Sequence, residues 1–345
     1  MRAAVLHGRE DVRVETVEVP RLAAGEVLIR IEVALTCGTD VKVFRRGYHA
    51  RMITPPALFG HEMAGVIAEV GPGVTAFEVG QRVVAANSAP CGGCAYCRAG
   101  RESLCEDLLF WNGAYAEYVC VPARVVSTTL IALDPHVSFR DAALVEPLAC
   151  VVRAVEDPRV GRGSSVAIVG TGPIGLMLLA LAKRRGARVV AAGRRRGRLE
   201  VARRLGADVV LDVAPGDDVA DLLREASVDH RGHDMVIEAV GSSETCDAAL
   251  RSVRRGGLVN LFAGCPHETH ISVDVQRLHY EELAVTSTFH HTPATVREAY
   301  RMIAAGEISP GDFVTEEAPL GRLPEVLRSL ASGSHELKTA IVPGR

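Results

Sequence analysis

No part of this sequence leaves the fold less freedom than the string Gly170-Thr171-Gly172-Pro173-Ile174-Gly175. It sits between a short apolar run, Val166-Ala167-Ile168-Val169, and an apolar stretch from Ile174 to Arg185. A G-x-G-x-x-G string alone is a weak signal; one that ends a strand and opens a helix in a strand–helix–strand unit is meaningful. There the first glycine permits a tight turn, the second lets backbone approach a pyrophosphate, and the third lets helix and strand pack closely. The helix N-terminus adds N–H donors and positive potential for phosphate. Gly163 to Ala182 carries no charge, close to the length of a membrane span. Gly170, Gly172, Pro173 and Gly175 within it read instead as strand, turn and helix.

The alternation continues downstream. Val189–Ala192, Val209–Leu211, Met235–Ile237 and Leu258–Leu261 read as strands, and 199–205, 219–226 and 243–253 as the helices between them. Alternating strands and helices predict an α/β fold with a doubly wound parallel sheet, the Rossmann arrangement. The strands are apolar runs, as strands buried on both faces should be. The first 130 residues have a different texture. Val27–Val33, Val66–Val70, Val83–Ala86 and Tyr115–Val121 read as half-buried strands. After about residue 288 the alternation stops; 295–305 reads as a helix and Ala340–Val342 as a last strand. The expected division is a β-rich domain at 1–151 and 288–345, discontinuous in sequence, around a dinucleotide-binding domain at 152–287. A chain of 345 residues has room for two such domains.

Composition excludes several function classes. A formal charge of −3 and 4% aromatics give neither a basic footprint nor a stacking platform for nucleic acid, so no nucleic-acid partner is expected. Met1 to Val5 lead into polar, alternating sequence and not into an apolar leader. Nine cysteines without such a leader point to metal in a reducing cytoplasm, not to disulfides or a membrane location.

Four of those cysteines, Cys91, Cys94, Cys97 and Cys105, fall in one glycine-punctuated lobe at about 88–108. Four thiolates fit a closed, tetrahedral structural zinc site. An iron–sulfur cluster has overlapping spacing; zinc is favoured because there is a single four-cysteine set, away from the nucleotide fold. A second constellation is scattered: Cys37-Gly38-Thr39-Asp40, Gly60-His61-Glu62 and Glu146-Pro147-Leu148. Cys, His and Glu are competent ligands for a catalytic zinc, which keeps one position open. The second strand of the nucleotide domain bears on cofactor choice. An NAD site usually ends that strand with an acid for the ribose 2′-hydroxyl. Here the strand ends Ala192-Gly193-Arg194-Arg195-Arg196-Gly197-Arg198. With no acid, room at Gly193, and Arg194, Arg195 and Arg198 to clamp a 2′-phosphate, NADP is expected over NAD.

Together these motifs resemble the zinc-containing medium-chain alcohol dehydrogenases, in the sorbitol and threonine dehydrogenase-like branch. Gly60-His61-Glu62-x2-Gly65-x5-Gly71-x2-Val74 matches the family's zinc signature, and Cys37-Gly38-Thr39-Asp40 its first-ligand motif. The cysteine lobe, Glu146-Pro147-Leu148 and the glycine string follow in the family's order, so the likeness spans essentially the whole chain. It implies a GroES-like β-rich catalytic domain beside the Rossmann domain, two Zn2+ per chain, and a homo-oligomer, commonly a tetramer. It also implies that Cys37, His61 and either Glu62 or Glu146 hold the catalytic zinc, and that Thr39 contacts the substrate oxygen and starts proton release. The family's relay histidine, five positions after the first-ligand cysteine, is replaced by Lys42.

The expected reaction is hydride transfer between NADP(H) and a secondary alcohol or its ketone, with a polyol or sugar-like substrate favoured. Phe110, Trp111, Tyr115 and the segment from Phe289 to Thr292 are candidates to line its pocket. A threonine-type or simple secondary alcohol dehydrogenase using NAD is the alternative. A non-catalytic NADPH-binding protein is a remoter one. A zinc-free quinone reductase leaves Cys37, His61, Glu62 and the cysteine lobe without a reason.

Overall fold

In the computed structural model, residues 1–49, 51–334 and 336–344 are described. They form two compact units, Met1–Ala149 with His291–Arg345, and Cys150–His290.

The first unit is built on a seven-stranded sheet. Its path runs Leu130–Ala132, Arg82–Ala85, Met63–Val70, Val27–Leu35, Lys338–Val342, Val314–Pro319, with Tyr118–Val121 also paired to Val27–Leu35. The last strand of the chain is thus interior to the sheet. It pairs antiparallel with Val27–Leu35, Ala340 opposite Leu35, and parallel with Val314–Pro319. Strand Val27–Leu35 pairs on its other side with Met63–Val70, in a ladder broken by two bulges. A three-stranded sheet of Asp11–Thr16, Arg2–Gly8 and Ala57–Leu58 packs into the same core. Leu6, Ile29, Phe44, Phe59, Tyr115 and Ile341 are among the side chains fully buried there. Each such residue contributes roughly 1.5–3 kcal/mol by leaving water. The cysteine lobe hangs from a two-stranded ribbon, Ser88 opposite Phe110 and Ala89 opposite Leu109.

The second unit is a six-stranded parallel sheet in the order Val209–Asp212, Arg188–Gly193, Ser165–Val169, His233–Glu238, Val253–Leu261, Ala284–Ser287. This is the 3-2-1-4-5-6 order of a dinucleotide-binding fold, whose ligand crevice opens at the carboxyl ends of the central strands. Helices Pro173–Arg184, Arg196–Arg204, Val219–Glu225, Ser243–Ser252 and Val275–Tyr280 are the crossovers. Residues 176–182 of the first are all buried, so the uncharged stretch is a core strand and a core helix. Among the described residues, no helix is long and apolar enough to cross a membrane.

Candidate active site and metal centres

Cys37 is the N-cap of helix Gly38–Arg46, where its Sγ accepts the Thr39 N–H at 3.4 Å. Asp40 completes the capping box: its Oδ2 accepts the Cys37 N–H at 2.9 Å. The same carboxylate reaches across to the second motif. The Nδ1 of His61 lies 3.1 Å from Asp40 Oδ1, and Tyr115 Oη donates to Asp40 Oδ2 at 2.6 Å. With Nδ1–H committed to Asp40, the Nε2 lone pair of His61 is left for a metal, the carboxylate–histidine arrangement that orients zinc ligands. Burial opposes a charge on the His61 ring, but Asp40 and Cys37 outweigh it and raise the ring well above its ordinary value. Gly60 sets the approach: its φ is +90°, and a Cβ there would stand 2.5 Å from the Tyr115 ring. The ligand atoms of Cys37, His61 and Glu62 all lie within 4.8 Å of one another. One ion at the usual 2.0–2.3 Å from its ligands fits that spread.

Glu62 is also held by a partner that sequence reading missed. It is fully buried, and Lys338 Nζ donates to both of its carboxylate oxygens, at 2.7 and 2.6 Å. The third Nζ proton goes to Thr36 O at 2.9 Å, so every donor of this ammonium is used. Burial works against the Lys338 charge, yet Glu62 more than offsets it and holds the ammonium above its ordinary value. Of the 39 basic residues only Lys42, Lys183 and Lys338 are lysines. That a buried one sits here was a signal, but nothing local pairs it with a residue 276 positions away.

Glu146 opens helix Val145–Val155 and is 6% exposed. Burial pushes its carboxyl up to about 7, against the opposing pull of His61. His291 Nε2 stands 3.7 Å from its Oε1 and 3.1 Å from Asn87 Oδ1. Thr39 lines a small cavity with His49, Ile53, His61 and Asn112. The half-buried Lys42 is not among the described residues lining it. Neither are the aromatic candidates. Trp111 is a core residue whose Nε1 donates to Ala86 O at 2.9 Å. Tyr115 is buried behind Asp40, and Thr292 caps helix Pro293–Ala304. These three pack or position, because each polar atom is spent inside its own unit.

The lobe sulfurs of Cys91, Cys94, Cys97 and Cys105 likewise lie within 4.8 Å of one another. Backbone N–H groups of Gly93 and Cys94 point at Cys91 Sγ, that of Cys97 at Cys94 Sγ, and that of Cys91 at Cys105 Sγ. Such donors favour thiolate: N–H groups of Glu106 and Cys97 hold Cys94 down at about 6. Burial and the neighbouring Cys94 push Cys97 up to about 12, the expected conflict among crowded thiols that a dication resolves.

In the second unit, Gly172 caps helix Pro173–Arg184 and leaves open space where a phosphate would approach. A Cβ on Gly175 would fall 1.8 Å from Gly170 O, so helix and strand touch through it. Gly193 differs from the expectation. The room at its Cα is filled by Thr171, whose Oγ1 would lie 2.1 Å from an added Cβ. Arg194 and Arg195 are exposed beyond the strand end, Arg195 with φ +72°, while Arg198 is half-buried. Arg196 is engaged by Glu200 at 3.2 Å.

Two family models cover most of the chain: the alcohol dehydrogenase GroES-like domain matches residues 23–130 and the zinc-binding dehydrogenase domain residues 173–305. Sorbitol dehydrogenase of Bacillus subtilis strain 168 is 30% identical over 353 residues, covering 100% of this chain and 98% of that one. D-arabitol-phosphate dehydrogenase of Enterococcus avium is 32% identical over 345 residues, covering 97% and 94%. Among solved structures, a zinc-binding dehydrogenase of Sinorhizobium meliloti 1021 bound to NADP superposes with TM-score 0.90 at 29% identity, covering 99% of each chain. The β-rich unit is therefore GroES-like and the parallel-sheet unit a Rossmann domain. This chain belongs to the zinc-containing medium-chain alcohol dehydrogenases, in the sorbitol dehydrogenase-like branch, and is an oxidoreductase dependent on zinc and a nicotinamide dinucleotide.

Proposed function

We propose that this enzyme interconverts a polyol or sugar-like secondary alcohol and its ketone, prefers NADP(H), and holds two zinc ions per chain. The observation that carries the reading is the convergence of Cys37, His61 and Glu62 around one point, with Asp40 bonded behind the histidine. In this reading Cys37 and His61 hold the catalytic ion together with Glu62 or Glu146; Lys338 donates to both oxygens of Glu62 and leaves each a lone pair for the metal. Cys91, Cys94, Cys97 and Cys105 hold the second ion and stiffen their lobe. Zinc, when bound, polarises the substrate oxygen, and the nicotinamide carries the hydride. Asp40 keeps the His61 ring in the ligating tautomer. Thr39 Oγ1 receives the hydroxyl proton of the substrate. Lys42, three residues on along the same helix and so on the adjoining face, carries it outward.

Polyol specificity is supported by the named activities of the sorbitol and arabitol-phosphate dehydrogenases. NADP preference is supported by Arg194 and Arg195 at an acid-free strand end, and by the NADP-bound structural relative. One observation favours NAD: Asp212, on the neighbouring strand, lies in register opposite Gly193. Initial rates with NADP and NAD across polyols, sugars, hydroxy amino acids and simple alcohols separate the readings, together with zinc content per chain. The proposal expects higher kcat/KM with NADP and two zincs. Selectivity for NADP should fall at least tenfold in Arg194→Ser/Arg195→Ser, about the effect of losing one charge-assisted bond. Turnover with NAD alone would end the NADP assignment, and one zinc per chain the two-metal assignment. The tetramer that the resemblance implies is read from the same preparation by sedimentation equilibrium.

A further inference from the structure

The Rossmann unit carries a second concave site, at the end of the sheet away from the glycine string. The strands are parallel, and the glycine turn follows the carboxyl end of Ser165–Val169. Val253, Arg254 and Arg255 open strand Val253–Leu261, and Glu281 precedes strand Ala284–Ser287. These residues line a cavity of about 630 Å3 with Arg224, His230, Arg231 and Arg277. A volume of that order suits a small-molecule ligand.

Five guanidiniums line the cavity against one carboxylate, Glu281. Three of them are fixed by bonds that leave much of their charge in place. Arg277 donates to Leu250 O at 2.7 Å and Val253 O at 2.9 Å as well as to Glu281 at 2.8 Å. Arg224 donates to Arg251 O at 3.2 Å. Arg254 donates to Asp234 at 2.8 Å and to Arg255 O. The remaining two are mostly solvated: the side chain of Arg231 is 77% exposed and 3.5 Å from Asp229, and that of Arg255 is 85% exposed and 4.0 Å from Glu281. Counting Asp229 and Asp234 with Glu281, cations exceed anions by two (five against three).

The backbone is shaped to present these groups. His233 pairs with Val253 and Met235 with Leu258, so four residues, 254–257, stand against one. This bulge aims Arg254 and Arg255 off the ladder. On the facing segment, Asp229 and His230 both adopt left-handed backbone, with φ of 53° and 55°, a costly conformation outside glycine. It delivers His230 and Arg231 to the same cavity.

We propose that this cavity binds a small ligand bearing two or more phosphoryl groups. Planar guanidinium forks match phosphate oxygens in bidentate pairs. A scaffold of three arginines fixed on backbone carbonyls, with two largely solvated ones at the rim, suits a polyphosphate better than a single anion. The site is independent of the dehydrogenase reading, since none of its residues belongs to the metal or nicotinamide sites.

Isothermal titration of the full chain with inorganic pyrophosphate and inorganic phosphate, at low salt, tests it. Pyrophosphate should bind more tightly than phosphate. Affinity for pyrophosphate should fall at least tenfold in Arg231→Ser/Arg255→Ser, in line with the loss of charge-assisted bonds. Both side chains are largely exposed, so the variant should keep the native circular dichroism; Arg255→Ser alone serves if it does not. Arg194→Ser/Arg195→Ser, at the other end of the sheet, should bind pyrophosphate unchanged. No heat with the native protein, equal affinity for the two anions, or loss only in the Arg194/Arg195 variant would overturn the assignment.

Discussion

At the scale of the residue, the Lys338–Glu62 pair shows most clearly what a buried charge requires. Both side chains are at most 1% exposed, and all three ammonium protons are placed. Removing one partner of a buried pair strands the other in a medium that cannot solvate it, at a cost of about 3–5 kcal/mol. Lys338→Met should therefore destabilise the GroES-like unit by that order in denaturant unfolding. Lys338→Met/Glu62→Gln should recover much of the loss. Equal stability of the single variant and the native chain would show the pair to be energetically idle. Cys37, proposed above as a zinc ligand, makes a different prediction. Cys37→Ser should abolish turnover while NADPH, titrated by fluorescence, still binds within about twofold, since a conservative change outside the cofactor site leaves those contacts in place. A fully active Cys37→Ser enzyme would remove Cys37 from the chemistry. Cys37, His61 and Glu62 were legible in the sequence because each lies in a short motif. Asp40 as the bond behind His61, and Lys338 as the counter-ion of Glu62, were not. Their roles depend on neighbours supplied by other strands and helices.

Elements carry the next set of consequences. The glycine turn works by close approach, not by flexibility alone: Gly175→Ala would put a methyl 1.8 Å from Gly170 O. Overpacking of this kind costs about 1–3 kcal/mol, and the helix must retreat from its strand. A lower melting temperature and weaker dinucleotide binding are expected together; unchanged binding would show that the turn does not set the cofactor position. On the two-zinc proposal, Cys97→Ala in the cysteine lobe should reduce bound zinc from two to one per chain. It should also expose 91–105 to limited proteolysis, since a short loop with few buried residues has little else to hold it. If the lobe stays resistant, its ribbon of Ser88–Ala89 and Leu109–Phe110 suffices on its own.

For the whole molecule, stability against acid should depend on His233. It is fully buried in the Rossmann unit, its Nε2 2.9 Å from Leu223 O and its Nδ1 2.8 Å from Ser165 Oγ. A carbonyl can only accept, so Nε2 carries a proton, while Ser165 Oγ can donate to Nδ1 and serve the neutral ring. Burial keeps it below its ordinary 6.5, although the Leu223 carbonyl pulls the other way. The unfolded chain therefore takes up this proton first. The stabilisation is fully present above pH 6.5 and is lost as pH falls from there through the folded value. Urea unfolding of this unit should weaken below pH 6.5, with a slope of up to about 1.4 kcal/mol per pH unit from this one group. His233→Gln should flatten that limb; an unaltered slope would assign the acid sensitivity elsewhere.

What the sequence determined by itself was whatever local order encodes: the strand–helix alternation, the glycine turn, the cysteine lobe and the motif cysteine and histidine. Backbone conformation and metal ligation both depend on spacing over a few residues, and spacing is visible in a linear chain. Only the tertiary structure decided which distant groups meet. It placed the final strand inside the first sheet, so that Lys338 reaches Glu62. It put Thr171, not open space, against Gly193, and Trp111 and Tyr115 in the core. It gathered arginines from positions 224 to 277 around one cavity. Side chains far apart along the chain are joined only by burial and charge, and both are properties of the folded neighbourhood.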